Sequence, residues 1–102
     1  MKKILILTAI LLIYTAADSQ QYWVNQPTGV NVFLNSLFFV NESTGYCVGN
    51  NSIFLHTING GVNWYFRNIG SGVEALEKVF FVNDSMGFVL TGNKVMKTNN
   101  RG

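Results

Sequence analysis

The chain repeats itself. Leu37-Phe38-Phe39-Val40-Asn41-Glu42-Ser43-Thr44-Gly45-Tyr46 returns 42 residues later as Val79-Phe80-Phe81-Val82-Asn83-Asp84-Ser85-Met86-Gly87-Phe88. Thr57-Ile58-Asn59 returns as Thr98-Asn99-Asn100 at an offset of 41, after one deletion, and Trp23 and Trp64 are also 41 apart. A period near 40 that encodes strands and tight turns marks a stacked or radial β array. One such unit cannot bury its own apolar faces, so these residues belong to a larger assembly of like units.

The first residues read as an address. Lys2 and Lys3 precede an apolar run, Ile4 to Tyr14, broken only by Thr8, and small residues follow to Ser19. That order is the pattern of a secretory signal peptide over 1–19, with cleavage after Ala17 or Ser19. The run is 11 residues long, short of the ~20 that a spanning helix needs. An uncleaved N-terminal anchor is the alternative. The expected location is therefore exported: periplasmic, cell-surface or extracellular, with no membrane span once the signal is removed. Removing 1–19 takes away Lys2, Lys3 and Asp18 and lowers the formal charge from +2 to +1. So small a charge gives no electrostatic footprint for nucleic acid or an anionic membrane.

The remaining chain reads as strands and turns in four parts: 1–19 signal peptide, 20–35 a connection, 36–72 a first unit and 73–102 a second. In the first unit the strands are expected at Ser36–Val40, Tyr46–Gly49, Ser52–Thr57 and Trp64–Ile69. Asn41 to Gly45 and Asn50-Asn51 are the turns, the latter a tight hairpin. Gly70-Ser71-Gly72 links to the second unit, with strands at Leu76–Val82, Phe88–Thr91 and Lys94–Thr98. Asn41, Asn51 and Asn83 begin Asn-x-Ser/Thr triplets; they read as turn residues. Leu37 to Val40 and Val79 to Val82 have no polar face, as in strands covered on both sides. A propeller blade, packed between two others, fits that better than a two-layer sandwich. Trp23 aligns with Trp64, so 22–26 reads as a fourth strand without the first three. The expected fold is all-β: antiparallel four-stranded blades of a β-propeller, about two of them, as a fragment of a longer chain.

Thr57-Ile58-Asn59-Gly60-Gly61-Val62-Asn63-Trp64 resembles the Asp-box, or BNR repeat, a turn between strands three and four of a propeller blade. Thr57, Gly61 and Trp64 match its pattern; Asn59 stands for Asp and Asn63 for Thr. The second copy keeps Thr98, Asn100 and Gly102. An Asx side chain caps backbone N–H groups in such a turn, the Gly allows a left-handed conformation, and the Trp is an apolar plug. Together with Phe39 and Gly45-Tyr46-Cys47-Val48-Gly49, the pattern is similar to the repeats of photosystem II stability/assembly factor-like proteins. That resemblance implies an exported, non-catalytic propeller scaffold. Its expected partners are further blades of the same chain or another copy, and a protein or carbohydrate partner.

Two other readings compete. The first is a sialidase-like glycoside hydrolase. Phe66-Arg67-Asn68-Ile69 is a weak echo of a sialidase motif, without its Pro. Only Arg67 and Arg101 supply guanidinium groups, and the acids after the signal are Glu42, Glu74, Glu77 and Asp84. Glycosidases need an opposed carboxylate pair, and no spacing here suggests one. The second is an adhesin-like surface repeat array. Cofactors and metals are not expected. His56 is the sole histidine and has no ligand-spaced neighbours. Gly60-Gly61 belongs to a hairpin, not a phosphate loop. Cys47, the single cysteine, reads as a small core residue with nothing near it in sequence to activate the thiol.

Overall fold

The computed structural model describes residues 23–72 and 74–102. The expected signal peptide, its cleavage points and residues 20–22 of the connection lie outside the described residues. Seven strands build two antiparallel sheets. The first sheet runs β1 (Leu34–Phe39), β2 (Gly45–Gly49), β3 (Ile53–Thr57) and β4 (Tyr65–Asn68), in that spatial order. The second runs β5 (Lys78–Phe81), β6 (Gly87–Leu90) and β7 (Val95–Thr98), likewise in order. This is one four-stranded propeller blade and three strands of another.

The turns follow from their side chains. The Asn41 carboxamide oxygen accepts from the N–H groups of Ser43 and Thr44, each at 2.8 Å. Asn83 does the same for Ser85 and Met86, at 3.0 and 2.8 Å. Both Asn-led turns are therefore Asx turns in equivalent places. The β2–β3 hairpin differs from the expected Asn50-Asn51 turn. Its central residues are Asn51 and Ser52, with φ of 59° and 57°, closed by an Ile53 N–H to Asn50 carbonyl bond of 3.3 Å. Two positive φ values suit a two-residue hairpin, whose twist matches that of the strands. The turn moves one residue on because Ser52 is needed at the bend, as the seam between the sheets shows.

Two glycines answer to close approach. A Cβ on Gly45 would lie 2.6 Å from the Phe39 ring, and one on Gly87 would lie 2.6 Å from the Phe81 ring. In both repeats, then, a Phe on the first strand lies flat over a Gly on the second. β1 begins two residues earlier than expected, at Leu34, and its register shifts between Leu34 and Ser36. The bulge turns Asn35 aside, and its amide donates to the Leu76 carbonyl (2.9 Å) and to the Asn50 side chain (3.1 Å).

The core lies between the sheets. Tyr46, Val48 and Phe54 from the first sheet meet Leu76, Val79, Phe81 and Val89 of the second unit. The Tyr46 ring stacks on Phe81 with centroids 4.0 Å apart and planes 15° apart. A fully buried side chain of this kind contributes ~1.5–3 kcal/mol. A smaller cluster, Cys47, Ile53 and Leu55, fills the opposite face of the first sheet under Val30, Val32 and Trp64.

Burial on both faces holds for β2 and β3 but not for every strand. Leu37 on β1 is 59% exposed and Phe66 on β4 is 54% exposed. On the far face of the second sheet Phe80 and Phe88 stack at 5.4 Å, and Val95 is exposed. These are the faces that no third sheet covers among the described residues. Over its described residues, 23–26, the expected fourth strand is also not formed: residues 23–28 have no regular structure, and Trp23 is fully exposed. A strand needs a neighbour to take its N–H and C=O groups, and none of the described chain lies beside this one.

Candidate functional site

Two ends of the paired sheets gather polar groups, and each grows from turn chemistry. At the first end, Thr57 closes β3 and its hydroxyl makes three hydrogen bonds. It donates to the Asn59 carboxamide oxygen (3.0 Å) and accepts from the N–H of Asn59 (3.3 Å) and of Gly61 (3.0 Å). Asn59 in turn accepts from the Asn63 N–H and donates to the Asn63 side chain, both at 2.9 Å. Gly61 has φ of 95°, a left-handed value that only Gly adopts without strain. Trp64 then lies against the Cys47, Ile53 and Leu55 cluster and meets Phe39 edge-on at 6.2 Å. Its indole N–H is buried with no acceptor. The second turn repeats the first: Thr98 donates to Asn100 (2.7 Å) and accepts from the N–H of Asn100 (3.2 Å) and Gly102 (2.9 Å).

Each of these turns is tied to the Asx turn beside it. Gly60 donates its N–H to the Ser43 carbonyl (2.8 Å), and Arg101 donates to the Ser85 carbonyl (3.0 Å). Gly60 has φ of 71° and Arg101 has φ of 70°. The second repeat thus puts an arginine where the first has a glycine, in a conformation that costs an L-residue roughly 1–2 kcal/mol. Arg101 lines a cleft of about 220 Å³ between the turn ends, with Asn41, Thr44, Tyr46 and Asp84. Burial pushes the Tyr46 phenol up from its ordinary value; Arg101 opposes that and Asp84 adds to it. At neutral pH the phenol is a hydrogen-bond donor. The cleft therefore offers a cation, a carboxylate, a phenol and amide and hydroxyl groups, a set suited to hydrogen-bonding an extended polar chain.

At the other end Ser52 joins the sheets. Its side chain is fully buried, and its hydroxyl accepts from the N–H of Gly72 (3.1 Å) and Glu74 (3.2 Å). Its own N–H donates to the Glu74 carbonyl (2.7 Å), and its carbonyl accepts from Ile69 (2.9 Å). Ser36 adds a bond from the Val79 N–H at 3.2 Å. Glu74 pairs with Lys94 at 2.7 Å, and that bond holds its carboxyl below the usual range. Sequence reasoning placed Ser52 at the start of a strand and gave Glu74 no partner. It also read Asp84 and Arg101 singly, without the cleft that brings them together. The one available signal was the deletion between repeats, which shortens the second unit's hairpin by one residue in the stretch that holds Ser52.

Arg67, the residue nearest to a sialidase motif, is exposed and sits 5.7 Å over the Phe54 ring. His56 lies between Tyr46 and Tyr65, its ring 6.3 and 5.6 Å from theirs. Cys47 is buried with a free thiol, and burial pushes its pKa up. Among the described residues no three His, Cys, Asp or Glu side chains gather as a metal site, and no helix is long and apolar enough to cross a membrane.

The fold defined by these sheets is that of part of a β-propeller. No protein-family model and no curated protein sequence matches the chain. Among solved structures it is similar to one described as YCF48 bound to D1 peptide, with a TM-score of 0.66 and 20% identity. The match covers 80% of this chain and 28% of that one. At that identity the likeness is one of fold.

Proposed function

We propose that this chain is part of an exported, non-catalytic propeller scaffold that binds a protein partner through an extended segment. The observation that carries the reading is the shared fold with a protein solved in complex with a peptide. The cleft of Tyr46, Asp84 and Arg101 supplies a place for such a segment. An arginine held at a left-handed position is strain retained at a surface cleft, a common mark of a binding residue. The turns at Thr57–Trp64 and Thr98–Gly102 are, in this reading, Asp-box-like elements that shape the blade and touch no ligand. Export follows from the signal-like start alone.

The test separates binding from folding. The chain is immobilised and exposed in parallel to a displayed peptide library and to a glycan array. Peptides are expected to be enriched, and Arg101→Gly is expected to weaken their binding while leaving stability equal or higher, because glycine relieves the φ strain. Binding to glycans alone, or peptide binding indifferent to Arg101→Gly and Asp84→Asn, would overturn the assignment.

A further inference from the structure

β4 ends the first sheet with an open edge, and that edge does not depend on how many units stack. The second unit packs on a face of the first sheet, through Tyr46, Val48 and Phe54. Units added in that way cover faces and leave the outermost strand unpaired on its outer side. Among the described residues only β3 pairs with β4. The Ile69 N–H donates to the Ser52 carbonyl (2.9 Å), so Ile69 turns its backbone groups inward. Along an antiparallel strand these groups alternate in direction. Arg67 and Tyr65 therefore turn theirs inward too, toward Phe54 and His56, their partners in register. Phe66 and Asn68 present N–H and C=O outward. Open edges are usually blunted by Lys, Pro or a bulge. β4 reads Tyr65-Phe66-Arg67-Asn68, is exposed along its length and has none of these. Such an edge accepts one more strand.

The side chains say which strand fits. On one face Phe66 continues the row that runs across the sheet from Cys47 and Leu55. Tyr65 and Arg67 lie on the other face. There Arg67 sits 5.7 Å over the Phe54 ring, and the Tyr65 ring is 5.6 Å from that of His56. A second β4, antiparallel and with Phe66 opposite Phe66, is the complement of the first. Tyr65 of each copy then lies opposite Arg67 of the other. One face gains cation–aromatic pairs and the other an aromatic pair. The backbone agrees, because Phe66 is an outward residue and its two copies exchange N–H and C=O groups. A slip to the next bonded register puts Arg67 opposite Arg67, and like charges directly opposed destabilise a strand pair. The reverse slip runs Arg67 into Asn63, which is held within the turn.

We propose that the β4 edge is a docking surface for β4 of a second copy, paired antiparallel and centred on Phe66, so that two four-stranded sheets become one. The dimer is closed and two-fold, because the same patch serves both copies. It is independent of the peptide-binding reading: no residue lining the Arg101 cleft lies on β4. An edge of 4 residues is a small interface, so the association belongs to the weak class, and a covalent trap is the means to read it.

Cysteine crosslinking of the full chain tests the register. Residues directly opposite in an antiparallel pair lie ~5.5 Å apart at Cα when hydrogen-bonded and ~4.5 Å when not. Both fall within the ~4.4–6.8 Å that a disulfide spans. Phe66→Cys is expected to form a disulfide-linked dimer on mild oxidation. Tyr65→Cys and Arg67→Cys are expected to crosslink with each other when mixed and to lose the crosslink when either is alone, because like residues then sit on a diagonal, beyond that span. The unaltered chain, whose Cys47 is buried, is expected to give no crosslinked dimer. Should Phe66→Cys fail to fold, the mixture of the other two variants reads the same register. A folded Phe66→Cys chain without a crosslink overturns the proposal, and so does a mixture without one. Equal crosslinking of all three variants alone would mean unspecific collision, and Arg67→Cys linking to itself more readily than Phe66→Cys would mean a different register; either result overturns it.

Discussion

Ser52 shows how much one hydroxyl can do in a small interface. It sits at a left-handed position that an unstrained turn would give to glycine, yet glycine would lose the acceptor for two N–H groups. Ser52→Ala is expected to cost about 1–3 kcal/mol, the usual cost of orphaned donors, read as a lower midpoint in urea. A loss within a few tenths would mean water replaces the hydroxyl at no cost. Cys47 makes the opposite point. Burial both covers the sulfur and raises the thiol pKa, so the nucleophilic thiolate is scarce. Native protein is expected to react with a thiol reagent far more slowly than urea-unfolded protein. Comparable rates would place Cys47 outside the core.

Strand identity was legible in the sequence because each strand is bounded by local turn chemistry: Asn41 and Asn83 carry their turns within three residues. All seven strands fall within two residues of their expected ends. What was not legible depends on chain far away. The Ser52 bonds reach 20 and 22 residues, and the Asn35 amide reaches 41. The fourth strand expected near Trp23 needs a neighbour that these residues do not supply. Arg101 was hidden because the pattern at its position is glycine. Within β2, Gly49 is set by a non-local contact too: a Cβ there would collide with the Phe33 carbonyl oxygen. Gly49→Ala must therefore push backbone apart, and a loss of roughly 1–3 kcal/mol is expected in thermal melts. Trp64→Ala removes the plug of the first blade and is expected to cost about 3 kcal/mol. Unchanged stability for Trp64→Ala would argue against the plug.

On the scale of the molecule, two blades meet across one aromatic stack and one polar seam, and the seam titrates. The Lys94 bond holds the folded Glu74 carboxyl below its ordinary range. The unfolded chain therefore takes up that proton first as pH falls. Stability from the pair is complete above the ordinary glutamate range, near pH 4.3, and is lost as pH drops through the lower folded value. Melting temperature is expected to fall below about pH 4 in low salt, with a shallower fall in Glu74→Gln. Equal slopes would assign the acid sensitivity elsewhere. The Phe-over-Gly pairs, Phe39 with Gly45 and Phe81 with Gly87, have a consequence for inheritance. The ten-residue stretches that carry them are so alike that a crossover joining Leu37 to Phe80 deletes 42 codons in frame. The recombinant strand still ends in a Phe above a Gly, so an exchange within these stretches removes one unit's length of chain and keeps the pair that closes its first strand.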